Sequence, residues 1–438
     1  MTPAAPAPQP PSRILTADAR WDALIAVLCV SVLFDIGRLH LLFPILQILH
    51  PALLCFASGV LLCFMGRNVG KGLLALRHPL VYLMGAMLLW SALSVPGSVY
   101  PGLSFSFVVG TMLRTMGMTV LMAIAVRGPR DVKRLLFSFF ISALIYSLVV
   151  LARFHVNPGE RLADLYTYDA NDLALFIVCT VPFALYLVLR SPWLVRKLMA
   201  IGALLILAVV FVWTGSRGGF IALLVVMAVI VFTWKSIKLP WRVGAVVVGL
   251  LVLFLAANQS YWSTMANIVA PEDDYNVTSA NGRVQVWKRG LGYMVHNPVL
   301  GVGVNAFPNA DGRFSGLAEL MPVGRGYKWS AAHNSFVQIG AELGIPGLVM
   351  FIVFAAILFR AAWRLSRPSQ YGQFALPPPG PTLAGLMFAA LCGFFVAAFF
   401  LSQAYGSILY FLTAMVLSLH RIAVRTAVQA AIATRLAA

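Results

Sequence analysis

Three groups of residues have the types and spacing to do chemistry. His333 stands at the head of AAHNSFVQIGAELGIPGLVMF (331–351), where Asn334, Gln338 and Glu342 recur at i, i+4 spacing and so share one face of a short helix. Arg217 sits inside the turn TGSRGG (214–219), and Arg283 and Arg289 lie on NGRVQVWKRGLGYMV (281–295). The stretch RFHVNPGERLADLYTYDAND (153–172) supplies Arg161, Tyr168 and Asp169. A neutral imidazole can take a proton near neutral pH. A guanidinium is permanently charged and grips phosphate oxygens in pairs. Together these types suit acid–base chemistry on an anionic substrate. Each also has an ordinary reading. His333 can be an interfacial histidine bonded to a loop carbonyl, and Arg217 can reach toward lipid headgroups. Arg283 competes with Lys288, Arg289, Arg313, Arg325 and Lys328, while Arg161, Tyr168 and Asp169 fit loop scaffolding.

No Cys/His spacing suits a metal ion, and the one acidic cluster, Glu272-Asp273-Asp274, reads as a solvated loop, so neither metal nor cofactor is expected. Cys29, Cys55, Cys63, Cys179 and Cys392 all lie in apolar runs, where they act as small packing groups rather than disulfide partners.

The elements that must position these residues are membrane helices. Of 438 residues, 61% are hydrophobic and only 11% are charged, and the mean hydropathy is +0.88. A soluble chain of this length cannot cover its surface with so few charges. Apolar runs recur at 21–37, 42–65, 79–95, 104–126, 135–152, 173–189, 197–213, 219–234, 243–257, 346–363, 382–401 and 405–419. These lengths predict an all-α polytopic membrane protein with about twelve transmembrane helices. Pro44 and Pro51 mark the second span as kinked or re-entrant.

Charge orients the array. With the N-terminus inside, the segments assigned to the cytoplasm hold most of the Lys and Arg, while outer loops 96–103 and 402–404 hold none. The net charge of +18 is therefore mainly a topology signal that also suits anionic lipids. No basic cluster suggests nucleic-acid binding. Arg217 falls outside, against this bias, and Arg114 lies mid-span with no assigned partner. The expected organisation is a disordered cytoplasmic tail at 1–20, spans one to nine over 21–257, and a large, partly helical periplasmic loop over 258–345. Spans ten to twelve follow over 346–419, with a basic cytoplasmic tail at 420–438.

Several segments resemble the O-antigen ligase and O-antigen polymerase superfamily of bacterial membrane glycosyltransferases, most closely the ligases. They are TGSRGG (214–219), GRVQVWKRGLGYMVHNPVLGVGVNAF (282–307), HNSFVQIGAELGIPGL (333–348) and, more weakly, YDANDLAL (168–175). The resemblance implies a metal-independent transferase of the bacterial inner membrane, with a periplasmic active site. Its donor would be a glycan on undecaprenyl diphosphate and its acceptor lipid A–core. In that family setting Arg217 and Arg283 would hold the donor diphosphate, with Arg289 a further candidate, and His333 would stand beside the acceptor hydroxyl. The same resemblance admits an O-antigen or exopolysaccharide polymerase. A twelve-span transporter or lipid flippase is the rival of another class, although no repeat between the halves is visible.

Overall fold

The computed structural model describes residues 22–65, 77–154, 161–162, 168–235, 237–270, 275–279, 282–316, 330–367 and 382–437. The expected tail at 1–20 and the acidic cluster at 272–274 lie outside these residues. Among the described residues every regular element is helical. In chain order they are α1 (Ala23–Asp35), α2 (Leu39–Leu42), a 3-10 segment (Pro44–Leu49), α3 (Pro51–Met65), α4 (Pro79–Ser94) and α5 (Pro101–Ala125). There follow α6 (Pro129–Arg153), α7 (Ala170–Arg190), α8 (Leu194–Thr214), α9 (Arg217–Thr233) and α10 (Leu239–Ala256). The intervening segment forms α11 (Gln259–Ala266), α12 (Tyr275–Thr278), α13 (Arg283–His296) and α14 (Phe307–Phe314). The chain ends with α15 (Ser335–Ser366), α16 (Leu383–Ala398) and α17 (Ser407–Ala437), so the basic C-terminal stretch continues the last helix.

An apolar helix stands at every place where hydropathy puts a span. Among the described residues Pro44–Met65, α5, α6, α7, α8, α10, α15 and α17 are long and apolar enough to cross a membrane, 8 in all; α1, α4, α9 and α16 are shorter apolar helices. Valine, leucine and phenylalanine on α10 (Val247, Val248, Leu251, Phe254, Leu255) are exposed, which suits hydrocarbon but not water. The core sits where α6, α7 and α17 meet. There Phe139 stacks on Phe411 at 4.9 Å and meets Phe176 and Phe183 edge-on.

Two irregularities have local causes. The second apolar run breaks as its prolines predict: a 3-10 turn ends at His50, which takes a left-handed φ of 41°, before Pro51 starts α3. The glycines and proline of Gly344-Ile345-Pro346-Gly347 predict a helix break before the tenth span, and the structure has instead a kink within one long helix. Only Gly344 leaves helical space, at φ 70° and ψ −170°. The freed Ile345 N–H donates to the Pro298 carbonyl at 2.8 Å, so the bend leaves that donor satisfied. The kink is also where the intervening segment docks.

Arg114 has a partner that the sequence left unassigned. Its Nε lies 3.5 Å from Oδ1 of Asp35, the last residue of α1. A π-helical turn at Val108–Met112 immediately precedes this arginine on α5.

Candidate functional site

The site is built upward from the seating of α13 and α14 on α15. Helix α13 buries Val286, Gly290 and Tyr293 and exposes Lys288 and Leu291, the amphipathic split its spacing predicts. Its Gly290 meets α15 so closely that a Cβ there would lie 2.5 Å from Val337 Cγ1. Its Trp287 packs edge-on to Phe399 at 5.6 Å. The turn that follows, NPVLGVGVNAF, threads against the α15 kink. Val302 N–H donates to the Ala341 carbonyl at 2.9 Å and Gly303 N–H to the Glu342 carbonyl at 3.1 Å. Gly301 takes φ 65°, and a Cβ on it would lie 2.5 Å from the Ala341 oxygen, so only glycine allows both the turn and the approach.

The polar stripe of α15 is mostly structural. Asn334 caps the helix, its Oδ1 accepting from Phe336 N at 2.9 Å and Val337 N at 3.0 Å. Glu342 is 1% exposed. Its carboxylate accepts from Asn305 N at 3.0 Å and Phe307 N at 3.3 Å, anchoring the turn at the start of α14. Gln338 is buried, and its Oε1 has no hydrogen-bond partner among the described residues.

Arg289 stands in an internal ion pair. Its Nε and Nη2 donate to the two oxygens of Asp311 on α14 at 2.7 and 3.0 Å, and the Tyr293 hydroxyl donates to Asp311 Oδ1 at 2.8 Å. Hydrogen bonding to Asp311 raises the Arg289 pKa, and burial raises that of Tyr293. The bidentate fork that could grip a phosphate is occupied by a carboxylate of this chain.

His333 occupies the residue before the Asn334 cap, half-buried, with a left-handed φ of 46°. Its N–H donates to Ser402 Oγ at 2.9 Å, which ties it to the short loop 399–406 between α16 and α17. Burial lowers its pKa, the positive charge of Arg283 lowers it further, Asp169 opposes and Arg161 adds to the lowering. Those four residues thus share one electrostatic neighbourhood, although three different segments supply them. The imidazole is held toward its neutral form.

Arg217 is the first residue of α9, half-buried behind the Ser216 cap, whose Oγ accepts from Gly219 N at 3.1 Å. Its neighbour Gly218 faces the same 399–406 loop: a Cβ there would lie 3.0 Å from Phe400 Cβ. On the other flank Gly215, at φ 55°, carries the Arg161 Cβ against it, and Leu162 N–H donates to the Trp213 carbonyl at 2.9 Å. Arg217, Arg283 and His333 are therefore on one side of the helix array and gathered about one loop. Among the secondary candidates, Arg161 and Asp169 are exposed and flank His333. Asp169 also caps α7, its Oδ1 accepting from Asp172 N at 2.7 Å. Tyr168 is buried, its hydroxyl donating to the Ile36 carbonyl at 2.7 Å and its ring 4.0 Å from the Arg38 guanidinium carbon. Burial pushes its phenol up to about 12, which suits scaffolding rather than proton transfer.

The N-termini of α7, α9, α13 and α15 converge here, each led by a site residue: Asp169, Arg217, Arg283 and His333. Helix N-termini carry partial positive charge and unpaired N–H groups, so the gathering favours an anion. Among the described residues no group of three or more His, Cys, Asp or Glu could hold a metal ion. What sequence reasoning missed is the loop at the centre, whose Ser402 and Gln403 carry no charge and lie between two apolar runs.

The sequence model of the O-antigen ligase family matches residues 202–352, a span that includes Arg217, Arg283, Arg289 and His333. No curated protein matches the chain.

Proposed function

We propose that this multi-pass membrane protein, whose residues 202–352 match the sequence model of the O-antigen ligase family, transfers a glycan from undecaprenyl diphosphate to lipid A–core on the periplasmic side of the bacterial inner membrane. The shorter apolar helices α1, α4, α9 and α16 then cross as well, giving about twelve spans with both termini cytoplasmic. One observation carries the reading: His333 lies within the fields of Arg283, Arg161 and Asp169, beside a loop that also packs on the α9 N-terminus bearing Arg217.

The chemistry follows from those groups. The acceptor hydroxyl oxygen attacks the anomeric carbon while the bond from that carbon to the diphosphate oxygen breaks. The hydroxyl proton passes to the neutral imidazole of His333, which later releases it to water. Negative charge grows on the departing undecaprenyl diphosphate, and Arg217 and Arg283 stabilise it more in the transition state than in the ground state. Guanidinium groups and helix N-termini do here what a metal ion does elsewhere. A single direct displacement inverts the anomeric carbon. Arg289 serves this site indirectly, by holding α13 against α14 through Asp311.

The test is purified protein in lipid nanodiscs with labelled donor and either lipid A–core or excess donor as acceptor. Transfer to lipid A–core that disappears in His333→Ala supports the ligase. Extension of the donor glycan alone identifies a polymerase with the same machinery. Full transfer by a folded His333→Ala protein removes the mechanism.

A further inference from the structure

The loop 399–406 has no charged residue, yet more of the site hangs on it than on any other connection described. Ser402 Oγ receives the His333 N–H at 2.9 Å. Ser335, the first residue of α15, clamps the loop from below: its Oγ donates to the Leu401 carbonyl at 2.7 Å and accepts from Gln403 N at 2.9 Å. Phe399 meets Trp287 on α13, one turn along from Arg283, and Phe400 packs over Gly218, next to Arg217. The side chain of Gln403 then reaches away from these contacts to α7, where its Nε2 donates to Asp172 Oδ1 at 2.7 Å. Gly406 leaves room for that side chain, since a Cβ there would collide with Gln403 Oε1.

His333 needs such a brace. A non-glycine residue in left-handed backbone space is strained and persists only when its surroundings over-determine it. The backbone N–H of His333 is held by Ser402, whose own position depends on the clamp at Ser335 and the tether at Gln403. Asp172 itself has no role in the displacement described above.

We infer that the Asp172–Gln403 hydrogen bond is a positioning latch: it fixes loop 399–406 and thereby holds His333 in its left-handed, half-buried pose beside the acceptor hydroxyl. The latch rests on the proposed transferase reading for its catalytic consequence, but the pose of His333 can be read without any substrate. Both residues act through His333, and neither touches the reacting atoms.

The experiment uses the full chain in nanodiscs and two readouts. The first is the rate at which diethyl pyrocarbonate modifies His333, followed by peptide mass spectrometry. The second is kcat and KM for transfer. Gln403→Met keeps the length of the side chain and removes its donor. It is expected to speed modification at least about threefold as the loop opens locally. It should also lower kcat about 10- to 100-fold with donor KM little changed, because a displaced general base costs rate rather than binding. Asp172→Asn keeps an acceptor oxygen for Gln403 and should leave both readouts near wild type. Asp172→Leu should match Gln403→Met, and the pair together should cost no more than either alone. If Asp172→Leu fails to fold, Gln403→Met and Asp172→Asn still decide. Unchanged modification of His333 in folded Gln403→Met overturns the latch whether or not the chain transfers glycan. Faster modification in a protein whose wild type transfers nothing keeps the latch and removes the transferase reading.

Discussion

The Arg289–Asp311 pair separates the structural account of this region from the donor role that sequence similarity suggests for Arg289. Asp311 is 1% exposed and Arg289 keeps a side-chain exposure of 19%. Asp311→Ala strands the guanidinium and removes the acceptor of the Tyr293 hydroxyl. Breaking a buried pair from one side costs about 3–5 kcal/mol, and the partial exposure of Arg289 puts this case at about 3 kcal/mol. At roughly 2 °C per kcal/mol for a large chain, that is a loss of about 6 °C in melting temperature. Arg289→Ala should fall by a similar amount, since it leaves Asp311 buried and unpaired. The double variant Arg289→Ala/Asp311→Ala should melt no lower than either single one, because the two residues stabilise as a unit. The assay is thermal unfolding in one detergent, with donor KM measured below the transition. An Arg289→Ala protein that melts like wild type but raises donor KM about tenfold or more would refute the reasoning and return Arg289 to the diphosphate.

Other outcomes follow from the same geometry. His333 must be neutral to accept a proton, and its pKa is lowered in the fold, so activity is present above that pKa and is lost as pH falls through it, below about 6.5. Arg283→Gln removes a lowering charge and should move the acid limb of the pH–rate profile up; Asp169→Asn removes a raising charge and should move it down. Identical limbs in both variants would show that neither charge reaches the imidazole. Arg217→Lys keeps the charge but loses the bidentate fork, and should lower kcat about 10- to 100-fold at full expression. Gly344→Ala puts a Cβ 2.5 Å from the Pro298 and Val299 carbonyl oxygens at a φ of 70°, and should cost at least about 2 kcal/mol of stability, read by the same melting assay.

Hydropathy located the helices because hydrocarbon imposes a length and a polarity on every span. The α13 face was legible for a similar reason: Arg283, Trp287 and Gly290 fall at helical spacing, and the contacts with Val337 and Phe399 bear this out. Pairings between distant elements were not legible. Arg114 meets Asp35 across two helices and Arg289 meets Asp311 across a turn, and neither spacing is a local signal. The break expected before the tenth span became a kink because the segment 298–303 supplies hydrogen-bond partners at Gly344, and no window of sequence reveals a partner that arrives from elsewhere. The loop 399–406 was the largest omission. In the sequence only its centre, 402–404, stands out, and only for lacking positive charge, yet the loop's hydroxyl, amide and aromatic groups join α7, α9, α13 and α15. Functional sites read from charge alone overlook such neutral scaffolding.

The most direct measurement is a cryo-EM structure of the chain in nanodiscs with undecaprenyl diphosphate bound. Diphosphate density is expected in contact with the guanidinium groups of Arg217 and Arg283, with His333 facing the space where the sugar carbon would stand. Density settled elsewhere, for instance at Arg38 or Arg114 with Arg217 and Arg283 out of reach, would contradict it.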